Sequence, residues 1–254
     1  MNYKDYLEAL TALWNKYQNE SNCPREFTGV LEKLKETLKL GIGISRDYKP
    51  NIDLLWMGIN PSCTDNERIE HPFPTFEETL EKDEFCKGYW KTVKRIIMGC
   101  KCTKEHLDLF AIRKTPQDFL RKVGVNNEKN PALCFLAEHL WLTQQFLENY
   151  LKPKVIVLAN KTAGAYLGLD QRYVWMGYKT TEIKEELPCV MPGKVYRIDG
   201  IRGKAGLIRQ KSSYNNELNE TVILHARFQG NGCPKEQQIN PNHIEELLKL
   251  AGVG

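Results

Sequence analysis

Residues 52–62 read Ile52-Asp53-Leu54-Leu55-Trp56-Met57-Gly58-Ile59-Asn60-Pro61-Ser62, an apolar strand that runs directly into a turn. In open α/β sheets, ligands bind where the strands end, so a polar side chain at this point is a candidate for function. Gly58 permits close approach of the backbone to a ligand, and Pro61 restricts the conformation of Asn60. The pattern predicts an Asn60 side chain held in a defined orientation. The alternative is a tight turn in which Asn is chosen for its turn propensity.

The composition is that of an ordinary globular protein, with 254 residues of which 41% are hydrophobic and 27% are charged. This length fits one large domain with a substantial core. The formal net charge of +4 permits a polyanionic partner without requiring one. The N-terminal residues lack the apolar segment of a signal peptide, and no apolar run approaches the length of a membrane span. We therefore expect a cytoplasmic protein that does not insert into a membrane.

The cysteine spacing is not that of a metal or cluster site. The chain has 8 cysteines and no Cys-x-x-Cys pair. Cys100 and Cys102 are close in sequence, but no second pair lies nearby to complete a zinc or iron–sulfur set. We expect free thiols in a reducing compartment, without disulfides, metal or cofactor.

Hydrophobic periodicity predicts an α/β organisation. Apolar residues recur at helical spacing from Tyr6 to Tyr17 and from Phe27 to Leu38, which predicts two amphipathic helices. From residue 50 onward, strand-like runs alternate with helical segments, as is typical of a mostly parallel sheet. Strands are expected near residues 52–59, 107–112, 155–158 and 221–224, and a polar loop over residues 63–87. Helices are expected near residues 89–97, 131–150 and 162–167 and after Asn240-Pro241.

We therefore predict one α/β domain over residues 1–254, a three-layer α/β/α arrangement with a mostly parallel central sheet. A helical extension covers residues 1–45, the core covers residues 50–170 and 220–254, and a β-rich basic insertion covers residues 171–219. The insertion concentrates positive charge, since residues 194–211 contain a single acid, Asp199. Such a run suits a phosphate backbone but is also compatible with a solvated face. Its basic residues are Lys194, Arg197, Arg202, Lys204, Arg209 and Lys211.

A second polar side chain follows the last predicted strand. His225 comes directly after Leu224, as Asn60 comes directly after Ile59. Because parallel strands end at the same edge of a sheet, we expect both side chains there. A lone His in a loop is more often structural, but its pairing with the Asn60 turn favours a site.

The motif Gly58-Ile59-Asn60-Pro61-Ser62 resembles the water-activating motif of the uracil-DNA glycosylase superfamily, particularly its mismatch-specific branch. Leu224-His225 resembles the start of the second motif of that superfamily. The resemblance covers about residues 50–167 and 221–233. Further segments follow in the order that the superfamily uses, namely His71-Pro72, Tyr89-Trp90-Lys91, Arg113-Lys114-Thr115-Pro116 and residues 155–163.

Two departures from the superfamily pattern concern specificity. Ala226-Arg227-Phe228 stand where Pro-Ser and a further small residue are expected, so Arg227 and Phe228 are candidates for a backbone contact and a wedge in the DNA minor groove. The superfamily's base-reading Asn on the second strand has no evident counterpart, and the stretch offers Asp108 and Phe110 instead.

The resemblance implies a DNA repair enzyme that hydrolyses the N-glycosidic bond of uracil or of another damaged or mismatched base in DNA. In that function Asn60 orients the attacking water and His225 donates a hydrogen bond to the departing base. The residues expected to line the substrate site are Gly58, Ile59, Pro61, Ser62, Phe73, Phe110, Arg227 and Phe228. Two alternatives remain, a catalytically silent nucleic-acid-binding protein of the same fold and an enzyme or binding protein for nucleotides or nucleosides.

Overall fold

The chain folds around a six-stranded mixed sheet. The computed structural model describes residues 1–61, 73–113, 129–169, 175–184, 187–201, 218–230 and 232–253. The strand order is β2-β1-β3-β6-β5-β4. Strands β2, β1, β3 and β6 run parallel, whereas β5 is antiparallel to β6 and β4 to β5. The strands are β1 Leu54–Gly58, β2 Lys104–Asp108, β3 Val155–Leu158, β4 Tyr178–Glu182, β5 Gly193–Ile201 and β6 Val222–Ala226.

Four of the seven α-helices in the described part of the chain begin at a polar side chain that caps the first turn. Asn2 and Asn240 each form a capping box, and Asn130 accepts from two backbone N–H groups ahead of a proline at the first helical position. Within the described ranges, no helix is both long and apolar enough to cross a membrane. The helices are α1 Tyr3–Gln18, α2 Thr28–Leu38, α3 Phe76–Glu81, α4 Tyr89–Ile97, α5 Pro131–Phe146, α6 Ala163–Leu167 and α7 Pro241–Leu250, with a π-helical turn at Leu147–Leu151.

Alternate residues of the parallel strands belong to two separate hydrophobic clusters, as expected for side chains that alternate between the faces of a sheet. Leu55 and Met57 of β1 pack in one cluster together with residues of α1 and α5. Leu54 and Trp56 pack in the other cluster with residues of α4 and α7. Both faces of β1 are therefore buried, which accounts for its continuous apolar sequence.

The second strand lies earlier in the chain than the sequence predicts. β2 covers Lys104–Asp108, whereas the apolar run at residues 109–112 follows it. β2 is at the edge of the sheet, and its residues alternate between buried and partly exposed positions, so its sequence is only half apolar. The run after it continues beside β1 through the bonds from Leu109 N to Gly58 O at 3.1 Å and from Phe110 N to Ile59 O at 2.9 Å.

One further helix was not predicted from hydrophobic periodicity, whereas strand-like runs were expected in the insertion. Helix α3 lies inside the predicted polar loop, where Thr75 and Glu78 form a capping box. The described part of the predicted insertion forms β4 and β5, which extend the sheet through antiparallel pairing with β6. The insertion is thus continuous with the sheet over the residues that pair.

Candidate functional site

Asn60 is held at the edge where the parallel strands end, here called the carboxyl edge. Its side chain is buried, and Nδ2 donates to the carbonyl oxygens of Pro61 at 3.2 Å and Ile112 at 3.1 Å. Both partners are acceptors, so a reversed amide would place oxygen against oxygen. These bonds therefore define which end of the Asn60 amide carries the oxygen.

Helix α5 holds the segment that carries the Ile112 carbonyl. His139 Nε2 accepts from the Ala111 N–H at 3.0 Å, and the Thr143 hydroxyl donates to the Leu109 carbonyl at 3.1 Å. Burial lowers the pKa of His139 to about 3, so the ring is neutral and Nε2 can accept. Neither residue was identified as functional from the sequence. The available signal was a His and a Thr spaced by one helical turn on an otherwise apolar helix.

Pro61, Phe73 and Arg113 converge beside the Asn60 turn. A Cβ atom placed on Gly43 would lie 2.5 Å from Pro61 Cγ, 2.7 Å from Arg113 Cγ and 3.0 Å from Phe73 Cε2. The Arg113 guanidinium lies 5.2 Å from the centre of the Phe73 ring, and Arg113 is 2% exposed. Phe73 therefore packs next to the turn, as part of its support, through a cation–π contact.

Asp108 lies against Gly58 at the carboxyl edge. The two residues are partners in the β1–β2 register, and a Cβ atom on Gly58 would lie 2.0 Å from Asp108 Oδ1. His106 Nε2 is 3.7 Å from the same oxygen. Burial raises the pKa of Asp108 to about 7 and lowers the pKa of His106 to about 3. Two ionisable side chains, 19% and 12% exposed, thus lie together beside the strand that leads to Asn60.

Aromatic side chains surround this pair and extend to the surface. His106 packs against Trp90, with ring centres 4.8 Å apart. Tyr89 accepts from Trp56 Nε1 at 2.6 Å and stacks on Phe228, with ring centres 5.0 Å apart and planes inclined by 12°. Phe228 is 51% exposed. These rings form a continuous aromatic surface, which extends from the buried Trp56 through Tyr89 to the half-exposed Phe228.

The loop that carries Arg227 and Phe228 is fixed by Gln229. The buried Gln229 amide donates to the carbonyls of Arg227 at 2.7 Å and Gln237 at 3.2 Å, and it accepts from Ile239 N at 2.7 Å. Arg227 is exposed, with one guanidinium nitrogen 3.5 Å from Gln237 Oε1. Phe228 is therefore presented by a loop with defined hydrogen bonds.

His225 is attached to the turn that follows β3. It pairs with Leu158 in the β3–β6 register, and its Nε2 is 3.1 Å from the Lys161 carbonyl oxygen. Its ring also packs on Gly164, where an added Cβ would lie 2.6 Å from Cε1. Burial lowers the pKa of His225, while hydrogen bonds to the backbone of Lys161 and Asn160 oppose that shift. The imidazole thus ties β6 to the end of β3.

Two residues expected to line the substrate site are in the hydrophobic core. Phe110 is fully buried, and its ring meets that of Tyr166 edge-on with centres 4.9 Å apart. Ile59 is 2% exposed and belongs to the same cluster. Ser62 lies outside the described residues.

The described basic residues of the predicted DNA-binding run are ion-paired. Lys194 Nζ is 3.0 Å from a Glu182 carboxylate oxygen, and Arg197 Nε is 3.4 Å from a Glu220 carboxylate oxygen. Both pairs are at the surface, where such contacts contribute little to stability. The remaining members of the run, Arg202, Lys204, Arg209 and Lys211, lie outside the described residues.

The thiols and other metal-ligand side chains are dispersed. Each cysteine in the described part of the chain is free, and Cys63 lies outside it. Within that part, no three His, Cys, Asp or Glu side chains are grouped so that they could hold a metal ion. Comparisons of the chain with protein-family models, with curated proteins and with solved structures found no match. Function is accordingly inferred from the residues at the carboxyl edge.

Proposed function

We propose that this protein is a DNA glycosylase with a three-layer fold like that of the uracil-DNA glycosylase superfamily, acting on uracil or another damaged or mismatched base. The observation that carries the proposal is the Asn60 amide, which backbone carbonyls hold at the carboxyl edge of the parallel strands. A buried amide held in this way is preorganised to position a small molecule such as water.

The packing of the sheet supports the three-layer arrangement. Residues from α1 and α5 share a cluster with one set of alternate strand side chains, and residues from α4 and α7 share a cluster with the other set. Because alternate side chains point to opposite faces of a sheet, helices in the two clusters belong on opposite faces.

In the proposed reaction, the Asn60 amide oxygen accepts a hydrogen bond from the attacking water. Cleavage of the N-glycosidic bond develops positive charge on the sugar and negative charge on the base. An amide orients water without removing its proton, so turnover is expected to be slow. One preorganised hydrogen bond of this kind is worth about 3 kcal/mol of transition-state stabilisation.

The exposed Phe228 supports a nucleic-acid partner. A base in duplex DNA must be turned out of the stack before its glycosidic bond can be attacked. Apolar wedges inserted between base steps assist such a distortion. Phe228 is half exposed on a loop that is fixed by hydrogen bonds of Gln229, and its ring stacks on the ring of Tyr89.

The contact of His225 with the backbone bears on its expected role as a donor to the departing base. Its ring nitrogen is already 3.1 Å from the Lys161 carbonyl, so donation to a base would require that contact to be given up. This contact favours the alternative of a catalytically silent nucleic-acid-binding protein, in which His225 only joins β6 to the turn after β3.

The test is base release from oligonucleotides that carry uracil, hypoxanthine, xanthine or mismatched thymine. Asn60→Ala should reduce the release rate by about a hundredfold with DNA affinity nearly unchanged, because only a transition-state interaction is removed. Asn22→Ala, at an exposed position between α1 and α2, is the matched control and should behave as wild type. DNA binding without base release from any of these substrates would establish the silent alternative. Equal rates in wild type and Asn60→Ala would remove Asn60 from the mechanism.

A further inference from the structure

The outer face of helix α4 carries a concentration of positive charge that has no role in the contacts described above. Residues 87–104 contain six basic residues and no acidic residue, whereas the predicted DNA-binding run at residues 194–211 contains six basic residues and one acidic residue. The buried side chains of Val93, Ile96 and Ile97 occupy the inner face of α4, so the basic residues fall on its outer face. Five side chains on and beside the helix are here called the α4 basic face, namely Lys87, Lys91, Lys94, Arg95 and Lys101.

The α4 basic face is not neutralised by neighbouring carboxylates. Within the described ranges, none of its five side chains forms a salt bridge. By contrast, Lys194 and Arg197 of the predicted DNA-binding run are paired with carboxylates. Four of the five residues are exposed, and Lys94 is partly exposed. The positive charge of this face is therefore available to a partner.

The stability of α4 accounts for only part of this charge. Cations are favourable near the C-terminal end of a helix, which explains Lys94 and Arg95 in the last turn. Lys104 also supports that end, because its Nζ donates to two backbone carbonyl oxygens there at 3.1 and 2.9 Å. Lys91 lies in the first turn, which contains no acid, and Lys87 directly precedes the N-cap residue. Cations at this end oppose the helix dipole, so an anionic partner explains the two lysines better than helix stability does.

The half-exposed Phe228 ring lies at the N-terminal end of the α4 basic face. It stacks on Tyr89, the first residue of α4, which is two residues from Lys87 and two residues from Lys91 in sequence. Lys91 and Arg95 are about one helical turn apart, which corresponds to roughly 6 Å along the helix axis. The cations thus form a row that begins beside the Phe228 ring and follows the helix.

We propose that the α4 basic face binds the phosphate backbone of duplex DNA beside the Phe228 wedge. This inference rests on the proposed function for the identity of the partner but not for base release, since a silent DNA-binding protein would use the same contacts. Lys and Arg side chains that neutralise phosphates release condensed counterions, which supplies much of the affinity for DNA. One exposed ring beside five cations suits a duplex, because single strands are held by several aromatic side chains that stack with successive bases.

The test is the salt dependence of binding to a fluorescent, undamaged duplex, so that base release does not enter the measurement. The α4 triple variant combines Lys87→Gln, Lys91→Gln and Arg95→Gln. Each lost phosphate contact should lower the slope of log affinity against log salt by about 0.9. At about 0.15 M salt, the loss of three contacts corresponds to binding that is roughly a hundredfold weaker than that of wild type.

The control removes the same charge from the N-terminal helices through Lys4→Gln, Lys33→Gln and Lys39→Gln, and it should keep the wild-type slope. Equal slopes in the two triple variants, or no binding of wild type to the duplex, would overturn the inference. Equal slopes would leave the glycosylase proposal standing. The expected loss of slope in a protein that releases no base would support the inference and end the glycosylase proposal.

Two further ligands test the identity of the partner. Binding to a single strand of the same length should lose less affinity than binding to the duplex in the α4 triple variant, because single strands release fewer counterions per contact. A larger loss on the single strand would overturn the assignment to a duplex. Met98 is 43% exposed beside the α4 basic face, so vesicles of phosphatidylserine and phosphatidylcholine provide an anionic membrane for comparison. Vesicle binding that the α4 triple variant loses, with an unchanged slope on duplex DNA, would overturn the inference in favour of a membrane surface.

Discussion

At the scale of single residues, β2 places one carboxyl group on each face of the sheet, Glu105 buried and Asp108 partly exposed. Asp108 faces the aromatic surface, whereas Glu105 is 4% exposed and accepts from Lys49 N at 3.0 Å. Among the described residues, the second Glu105 oxygen has no hydrogen-bond partner. Burial raises the pKa of Glu105 to about 7. An edge strand therefore carries two groups that resist ionisation.

Glu105→Gln should alter the dependence of stability on pH. The folded protein binds the Glu105 proton more tightly than the unfolded chain, in which the pKa is 4.5. The contribution of Glu105 to the free energy of unfolding is complete below pH 4.5 and is lost as the pH rises through about 7. This loss amounts to about 3 kcal/mol. The glutamine keeps the acceptor for Lys49 N and does not ionise, so the variant should be the more stable protein above neutral pH.

Urea unfolding of wild type and Glu105→Gln across this pH range gives the difference between their free energies of unfolding. Asp108 is present in both proteins, so its contribution cancels in that difference. Glu245→Gln, at an exposed position of α7, is the control and should parallel wild type. A constant difference between wild type and Glu105→Gln across the range would contradict the expectation.

A methyl group at Gly58 should be costly, because it would lie 2.0 Å from Asp108 Oδ1. Gly58→Ala is expected to destabilise the fold by about 1–3 kcal/mol as the carboxyl is displaced. Gly29→Ala in α2 has nothing within 4 Å of the new methyl group and should instead stabilise by about 0.5 kcal/mol. Denaturant midpoints compare the two variants, and equal effects would show that the contact with Asp108 relaxes freely.

At the scale of elements, the loop after β6 differs from an ordinary surface connection. Gln229 makes three hydrogen bonds to backbone groups, two of them to the segment that precedes α7. Helix α4 supplies Tyr89, on which the Phe228 ring stacks. The end of β6, the loop after it and the first turn of α4 together hold one aromatic ring at the surface, so a wedge function of the loop depends on all three elements.

Phe228→Ala should impair base release from duplex DNA more than from single strands, where no base pair has to be opened. Phe85→Ala is a matched control, because Phe85 is also partly exposed but makes no stacking contact with Tyr89. The ratio of duplex to single-strand rates is the quantity to measure. A ratio that is unchanged in Phe228→Ala would exclude a wedge function.

At the scale of the whole molecule, the sheet combines a parallel part and an antiparallel part. β2, β1, β3 and β6 end at the carboxyl edge, whereas β5 and β4 continue the sheet beside β6. The basic run begins on β5, next to the strand that leads to His225. The topology therefore joins the predicted phosphate-binding segment to the same sheet as the candidate site.

Neutralising Arg202, Lys204 and Arg209 to Gln should weaken binding to all DNA sequences alike. If each contacts a phosphate, the slope of log affinity against log salt should fall by about 0.9 per residue. These three residues lie outside the described ranges, so the expectation rests on sequence. The control removes the same charge from the N-terminal helices through Lys4→Gln, Lys33→Gln and Lys39→Gln. Equal salt slopes in the two triple variants would identify the basic run as a solvated face.

Local patterns were sufficient for much of the fold, because the information for those elements lies within a few neighbouring residues. The apolar stretch before Gly58, the helical stripe of α1 and the Asn240-Pro241 start of α7 all correspond to observed elements. The edge strand β2 and helix α3 were misplaced or missed. A half-buried edge strand has few apolar residues, and the six residues of α3 are too few for a clear period.

The candidate site shows the same division between local and long-range information. The Gly58-Ile59-Asn60-Pro61 sequence predicted a defined Asn60 orientation, because glycine and proline act on adjacent residues. The acceptor at Ile112, the support from His139 and the contact of Asp108 with Gly58 all join residues far apart in the chain. Such pairings depend on strand register and helix packing, and a shift of one residue would turn each side chain to the opposite face. Tertiary structure therefore determined which polar groups meet at the carboxyl edge.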